Sequence, residues 1–170
     1  MLNRIRRAIL LDKAVYGEVA ADKSATGQAI ALVLLVSIAI SIGEGSSSSL
    51  PWHIWSIAVA LPTWAFESWI VWYAGTKLLP EPQTEADWGQ VARTLAFAQS
   101  IGLVRILGFL PVIGGLIIFA SLAWQLVAMI IAVRQALDYT STFRAVAVIL
   151  IGFIPYIIAL GVLSSLLGRN

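Results

Sequence analysis

The chain has 170 residues, 59% of them hydrophobic and 12% charged, with a mean hydropathy of +0.89. Soluble domains sit nearer half apolar and a quarter charged, and a chain of this size could not hide so much apolar surface in its own core; the composition is that of a one-domain membrane protein. The net charge of +2 is spread along the chain and forms no basic stripe for nucleic acid, and the lack of cysteine excludes disulfides, thiolate chemistry and cysteine-ligated metals.

Residues 1–24 are expected to form an N-terminal interfacial segment. The run MLNRIRRAILL breaks at Asp12 and Lys13 after a few apolar residues, short of the roughly 7 to 15 of a signal sequence, so the segment is expected to be retained. Leu2, Ile5, Ile9, Tyr16 and Val19 fall on one face at helical spacing. This predicts a short amphipathic helix on the inner leaflet, with Arg4, Arg6, Arg7 and Lys13 meeting the headgroups. An ordinary polar cap obeying the positive-inside rule accounts for the same residues.

A five-span transmembrane domain over 25–168 is expected to follow, giving an all-α polytopic helical bundle. The first span, about 25–43, is stopped by GEGSSSSLP, a loop composition. The second, about 53–79, is longer than a bilayer requires and carries Pro62, which predicts a tilt or kink. In the polar stretch PEPQTEAD, Thr84 and Asp87 have the spacing of a capping box that starts the third span, about 90–109. FLPVIGG supplies a tight reversal through Pro111, Gly114 and Gly115. The fourth span covers about 112–136 and the fifth about 143–167, with Pro155 inside it. The echo of LGFLPVI in IGFIPYI is read as coincidence in a chain so rich in isoleucine and leucine.

Lysine and arginine placement sets the orientation. With the N-terminus inside, Arg4, Arg6, Arg7, Lys13, Lys23, Lys77, Arg93, Arg134 and Arg144 all fall on the inner side and Arg169 outside. Trp52, Trp55 and Trp88 fall near span boundaries, where amphipathic rings favour the headgroup region.

Glu67, within WAFESWIVW, has no basic residue for about ten positions on either side. A carboxylate at mid-bilayer costs about 2.5 to 3.5 kcal/mol on insertion scales and needs a partner or a proton. Glu67 lies about 11 residues from the inner end of its span and Arg105 about 12 from the start of its own, roughly 17 and 18 Å at 1.5 Å per residue. Gln125 reaches the same level on the antiparallel fourth span. A carboxylate, a guanidinium and an amide can satisfy one another, which predicts a buried polar cluster of Glu67, Arg105 and Gln125 and a loss of thermal stability on Glu67→Gln. Such a cluster either fixes helix register or serves a proton or ion relay.

No enzyme is read from the sequence. His53, the sole histidine, stands beside Trp52 at a boundary as a solvated ring, without a second histidine or clustered acids for a metal, and no phosphate-binding glycine loop or required cofactor is indicated. Small residues four apart, Ser37 with Ser41, Ala96 with Ser100, Ala128 with Ala132 and Gly161 with Ser165, favour close helix packing. Trp64, Trp69, Trp72 and Tyr73 make an aromatic face for lipid, pigment or protein.

The stretches RTLAFAQSIGLVRILGFLPVIGG at 93–115, WQLVAMIIAVRQAL at 124–137 and FRAVAVILIGFIP at 143–155 resemble the Yip family, the five-span Ypt/Rab-interacting membrane proteins, in a bacterial-type form. The polar marks are Arg93, Arg105, Gln125, Arg134 and Arg144. The resemblance implies an integral protein of a bacterial inner membrane, and the lysine and arginine bias predicts its N-terminus inside and its C-terminus outside. The longer cytosolic region and the Asp-Leu-Tyr-Gly-Pro type motif of eukaryotic relatives are missing, so their Rab-linked role is not carried over. The expected function is an accessory or scaffold subunit that organises the lipid bilayer, a membrane-protein partner or a homo-oligomer. The alternative is a small proton- or ion-coupled transporter or channel subunit using Glu67 and Arg105.

Overall fold

The computed structural model describes residues 1–43 and 50–167; among these all regular structure is helical, with no strand. The predicted GEGSSSSLP loop, the boundary placement of Trp52, the Gly161–Ser165 pair and Arg169 lie outside the described backbone or side chains. Seven α-helices follow in order: α1 (Leu2–Ile9), α2 (Lys13–Ala21), α3 (Thr26–Gly43), α4 (Leu50–Tyr73), α5 (Trp88–Ala98), α6 (Gly114–Ala136) and α7 (Thr142–Leu167). Among the described residues, four segments are long and apolar enough to cross a membrane: Lys23–Gly43, His53–Leu78, Trp88–Phe109 and Gly114–Ala136.

The expected N-terminal amphipathic helix is instead a pair of short helices. At the end of α1 the chain turns through Leu11 at φ 59, where the amides of Leu11 and Asp12 return to the carbonyls of Ala8 and Arg7. This closes the helix end in a left-handed cap. The Asp12 side chain then accepts from the Ala14 amide and starts α2. Val15, Tyr16 and Val19 are fully buried and belong to the same core cluster as Leu95 and Phe97 of α5 and Val133 of α6. The hairpin is therefore part of the bundle. Its docking is locked by Arg93 of α5, which donates from Nε and Nη2 to the Val19 and Ala20 carbonyls at the C-terminal end of α2. Cationic donors at a helix C-terminus satisfy carbonyls that the helix leaves open.

Asp87 rather than Thr84 caps α5. Its carboxylate accepts from the Gln90 amide while the Gln90 side chain accepts from the Asp87 amide, so the span begins at Trp88. Thr84 closes a turn with Glu81 instead, in which the Thr84 amide donates to the Glu81 carbonyl and the Thr84 hydroxyl accepts from the Glu81 amide. From Gln99 to Phe109 the third span winds into a 3-10 helix, unusually long at 11 residues. With three residues per turn, this winding lines up Gln99, Gly102, Arg105 and Gly108 along one edge. That edge lies against α3: a Cβ on Gly102 would stand 2.7 Å from Val36, and one on Gly43 only 1.8 Å from the Arg105 carbonyl oxygen. Two backbones meet there without side chains between them.

The predicted reversal falls at 110–113 and places Val112 at φ 71, with the Ile113 amide donating to the Pro111 carbonyl. The span α4 starts at Leu50, earlier than expected, and ends in a widened π turn over Ala74–Leu78. Tyr139 caps that turn, its hydroxyl 2.8 and 2.7 Å from the Gly75 and Leu79 carbonyls.

Candidate functional site

A cavity of about 400 Å³ lies among α3, α4, the 3-10 segment and α6. Its walls are apolar at Val33, Val36, Ile40, Val59 and Ala60, and its polar groups are Ser37, Ser56, Thr63, Glu67, Gln99, Arg105 and Gln125. Size and lining match a small-molecule site: mostly apolar, with a few convergent polar groups. Thr63 on its edge is exposed, so the cavity reaches the outside of the bundle.

Of the expected cluster, the structure joins Arg105 to Gln125 and brings Glu67 to the same cavity without a bond to either. The Arg105 guanidinium donates to the side-chain oxygen of Gln125, and its Nε donates to the Ser121 hydroxyl at 2.9 Å. Ser121 in turn donates to the Ile118 carbonyl at 2.7 Å. Ser121 was not singled out in the sequence, although it stands one turn before Gln125 and so shares its face. No cation stands within 4.0 Å of Glu67 among the described residues. The register pairing predicted for Glu67 with Arg105 is thus replaced by an Arg–Ser–Gln arrangement.

The four basic residues predicted at the headgroups divide. Arg4 pairs with Asp22 at 2.8 Å, and Arg7 pairs with Asp12 at 2.7 Å and Glu18 at 2.8 Å. The arginine hydrogen bonds hold the carboxyls of Asp12 and Glu18 below the usual range, and Ser24 together with Arg4 lowers Asp22 to about 2. Arg6 and Lys13 are exposed and make no ion pair among the described residues. His53, expected as a solvated ring, is half-buried and shares a hydrogen bond between its Nδ1 and the Ser41 hydroxyl.

A second polar knot had no sequence signal. Buried Glu81 accepts from the Thr140 amide at 2.9 Å, the Thr140 hydroxyl at 2.8 Å, the Ser141 amide at 3.1 Å and Gln83 at 2.7 Å. The Thr140 hydrogen bonds lead in lowering its carboxyl to about 2. An anion here faces the positive end of α7, and Arg144 of that helix lies 3.9 Å away. This knot ties the 80–87 loop to the start of α7. Among the described residues no group of three His, Asp or Glu could hold a metal ion.

No family model, curated protein or solved structure matches the chain.

Proposed function

We propose that the chain is a non-enzymatic integral membrane protein of five-span Yip type that organises lipids or membrane-protein partners through the polar cavity between its helices. The observation that carries this reading is that Glu67 and Arg105 line one cavity without bonding to each other. Within a bilayer, ionisable groups usually close on a partner or mark a binding pathway. A carboxylate with no cation supports the second role. The apolar exteriors of α3, α4 and α6, with Leu35, Ile38, Phe66, Trp69, Phe119 and Leu122 exposed, support residence in lipid.

The 26 residues of α7 are enough for a fifth crossing, and the bias of lysine and arginine supports an inner N-terminus and an outer C-terminus in a bacterial cytoplasmic membrane. Arg6 and Lys13 remain available to an anionic leaflet. The test is mass spectrometry of the tagged protein purified from its native membrane in mild detergent. Stoichiometric lipid or protein is the expected result; protein that sheds both completely would sink the reading.

A second reading, proton- or ion-coupled transport, draws on the same unpaired Glu67. Flux in proteoliposomes that disappears in Glu67→Gln would establish it. Equal flux in the two proteins, or none in either, would remove it.

A further inference from the structure

A smaller cavity, about 130 Å³, lies where the N-terminal hairpin meets the last turns of α6, and Lys13, Ile131, Arg134 and Gln135 line it. Gln135 packs beside Gly17 of α2, where a Cβ would stand 3.7 Å from its side-chain oxygen, so α2 and α6 meet at the cavity. Two cations therefore share one small space. Neither has a carboxylate within 4.0 Å among the described residues. The acids nearest Lys13 in sequence, Asp12 and Glu18, are taken by Arg7, and Glu81 beyond α6 is taken by Thr140, Ser141 and Gln83. Arg134 closes the turn after α6 by donating from Nε to the Tyr139 carbonyl at 3.5 Å and from Nη2 to the Thr140 carbonyl at 3.0 Å. Both partners are neutral, and its Nη1 has none among the described residues. Like charges brought to one site repel, and an anion between them turns that repulsion into attraction.

The surface of α6 says what the anion is attached to. Trp124, Val127 and Ile131 precede Arg134 at helical spacing, on the face that carries the cavity. Trp124 and Val127 are exposed, so an apolar track runs from the cavity along α6. From Ile131 to Trp124 it is roughly 10 Å long at 1.5 Å per residue. A basic pocket at one end of an apolar helix face fits a lipid phosphate with its acyl chains beside it. An ammonium or choline beyond that phosphate would meet Lys13 and Arg134 with repulsion.

We infer that the cavity between Lys13 and Arg134 binds the phosphate group of an anionic lipid that carries no ammonium, its acyl chains following Ile131, Val127 and Trp124. The site is separate from the larger cavity and rests on the chain's residence in lipid, with no part for Glu67 or Arg105. Glycerol phosphate offers the same anion from solution without the chains.

The experiment uses the full chain in mild detergent and measures lipid retention and thermal stabilisation with dioleoyl phosphatidylglycerol and dioleoyl phosphatidylcholine in parallel, and with glycerol phosphate as the soluble probe. The expected result is about tenfold preference for the glycerol lipid, as charge-assisted hydrogen bonds to one phosphate allow, and no stabilisation by glycerol phosphate at the same concentration. Lys13→Gln should reduce that preference to about twofold, and Lys13→Arg should keep it. Arg6→Gln removes an equally exposed cation of the hairpin that lies outside the cavity, and should leave the preference unchanged. Equal losses in Lys13→Gln and Arg6→Gln would reveal general charge attraction and overturn the site. Stabilisation by glycerol phosphate as strong as by the lipid keeps the phosphate site and overturns the lipid as its source. Equal retention of the two lipids overturns the inference, while stoichiometric lipid or protein in the purified material leaves the proposed function standing.

Discussion

The Arg105 guanidinium is held by a hydroxyl and an amide, and this decides what substitution does around it. Ser121→Ala removes a hydrogen bond to a charged group in a buried place and should cost about 2 kcal/mol, read from denaturation of the purified protein in detergent. Glu67→Gln removes no ion pair. Stability should therefore hold within about 1 kcal/mol or rise, since a neutral amide is cheaper to keep from water than a carboxylate. A drop of several degrees would instead restore the direct pairing expected from the sequence. That Glu67, Arg105 and Gln125 would share a polar site was legible from their polarity within apolar runs, and all three line one cavity. Their bonding was not, because lateral placement depends on how the 3-10 segment rotates Arg105 toward α6.

At the scale of elements, the N-terminal hairpin and the α7 cap depend on contacts between distant parts of the chain. Arg93 lies 74 residues from Val19, and nothing local in either stretch announces the meeting. What could be read was the apolar face of Tyr16 and Val19; what it faces, protein rather than lipid, was not. Arg93→Ala should cost about 3 kcal/mol, two hydrogen bonds from a buried cation, and should expose the hairpin to limited proteolysis ahead of the spans. Glu81 gives a pH signature. Its carboxyl is lowered from 4.5 to about 2, so its contribution is complete above about pH 4.5 and is lost as pH falls toward 2. The difference in thermal midpoint between wild type and Glu81→Gln should be constant above pH 4.5 and close on acidification. Val112, 99% exposed at φ 71, packs against nothing and holds a conformation that β-branched residues resist. Val112→Gly should stabilise the protein by about 1 kcal/mol in the same assay.

Across the whole molecule, the tight approach of α3 to the 3-10 segment holds one wall of the cavity. Any side chain at Gly43 would press into the Arg105 carbonyl, which is backbone and cannot turn away. Gly43→Val should cost about 3 kcal/mol or more and broaden the size-exclusion peak in detergent. The glycines at 102 and 108, flanking Arg105 at equal spacing of three, were the one trace in the sequence of this 3-10 edge. A long apolar run read with an α period does not bring them onto one face.

The reversal at 110–113 has a consequence for how the chain enters the bilayer. A guanidinium alone at mid-membrane costs about 2.5 to 3.5 kcal/mol on insertion scales. Arg105 finds its two acceptors only 16 and 20 residues later, across a turn too short to leave the spans apart. During synthesis the third span should wait at the translocon until the fourth has emerged, the two then partitioning together as one hairpin whose polar groups are already closed. Nascent chains halted soon after Phe109 should integrate poorly in a glycosylation-mapping assay, and chains extended well past Gln125 should integrate fully.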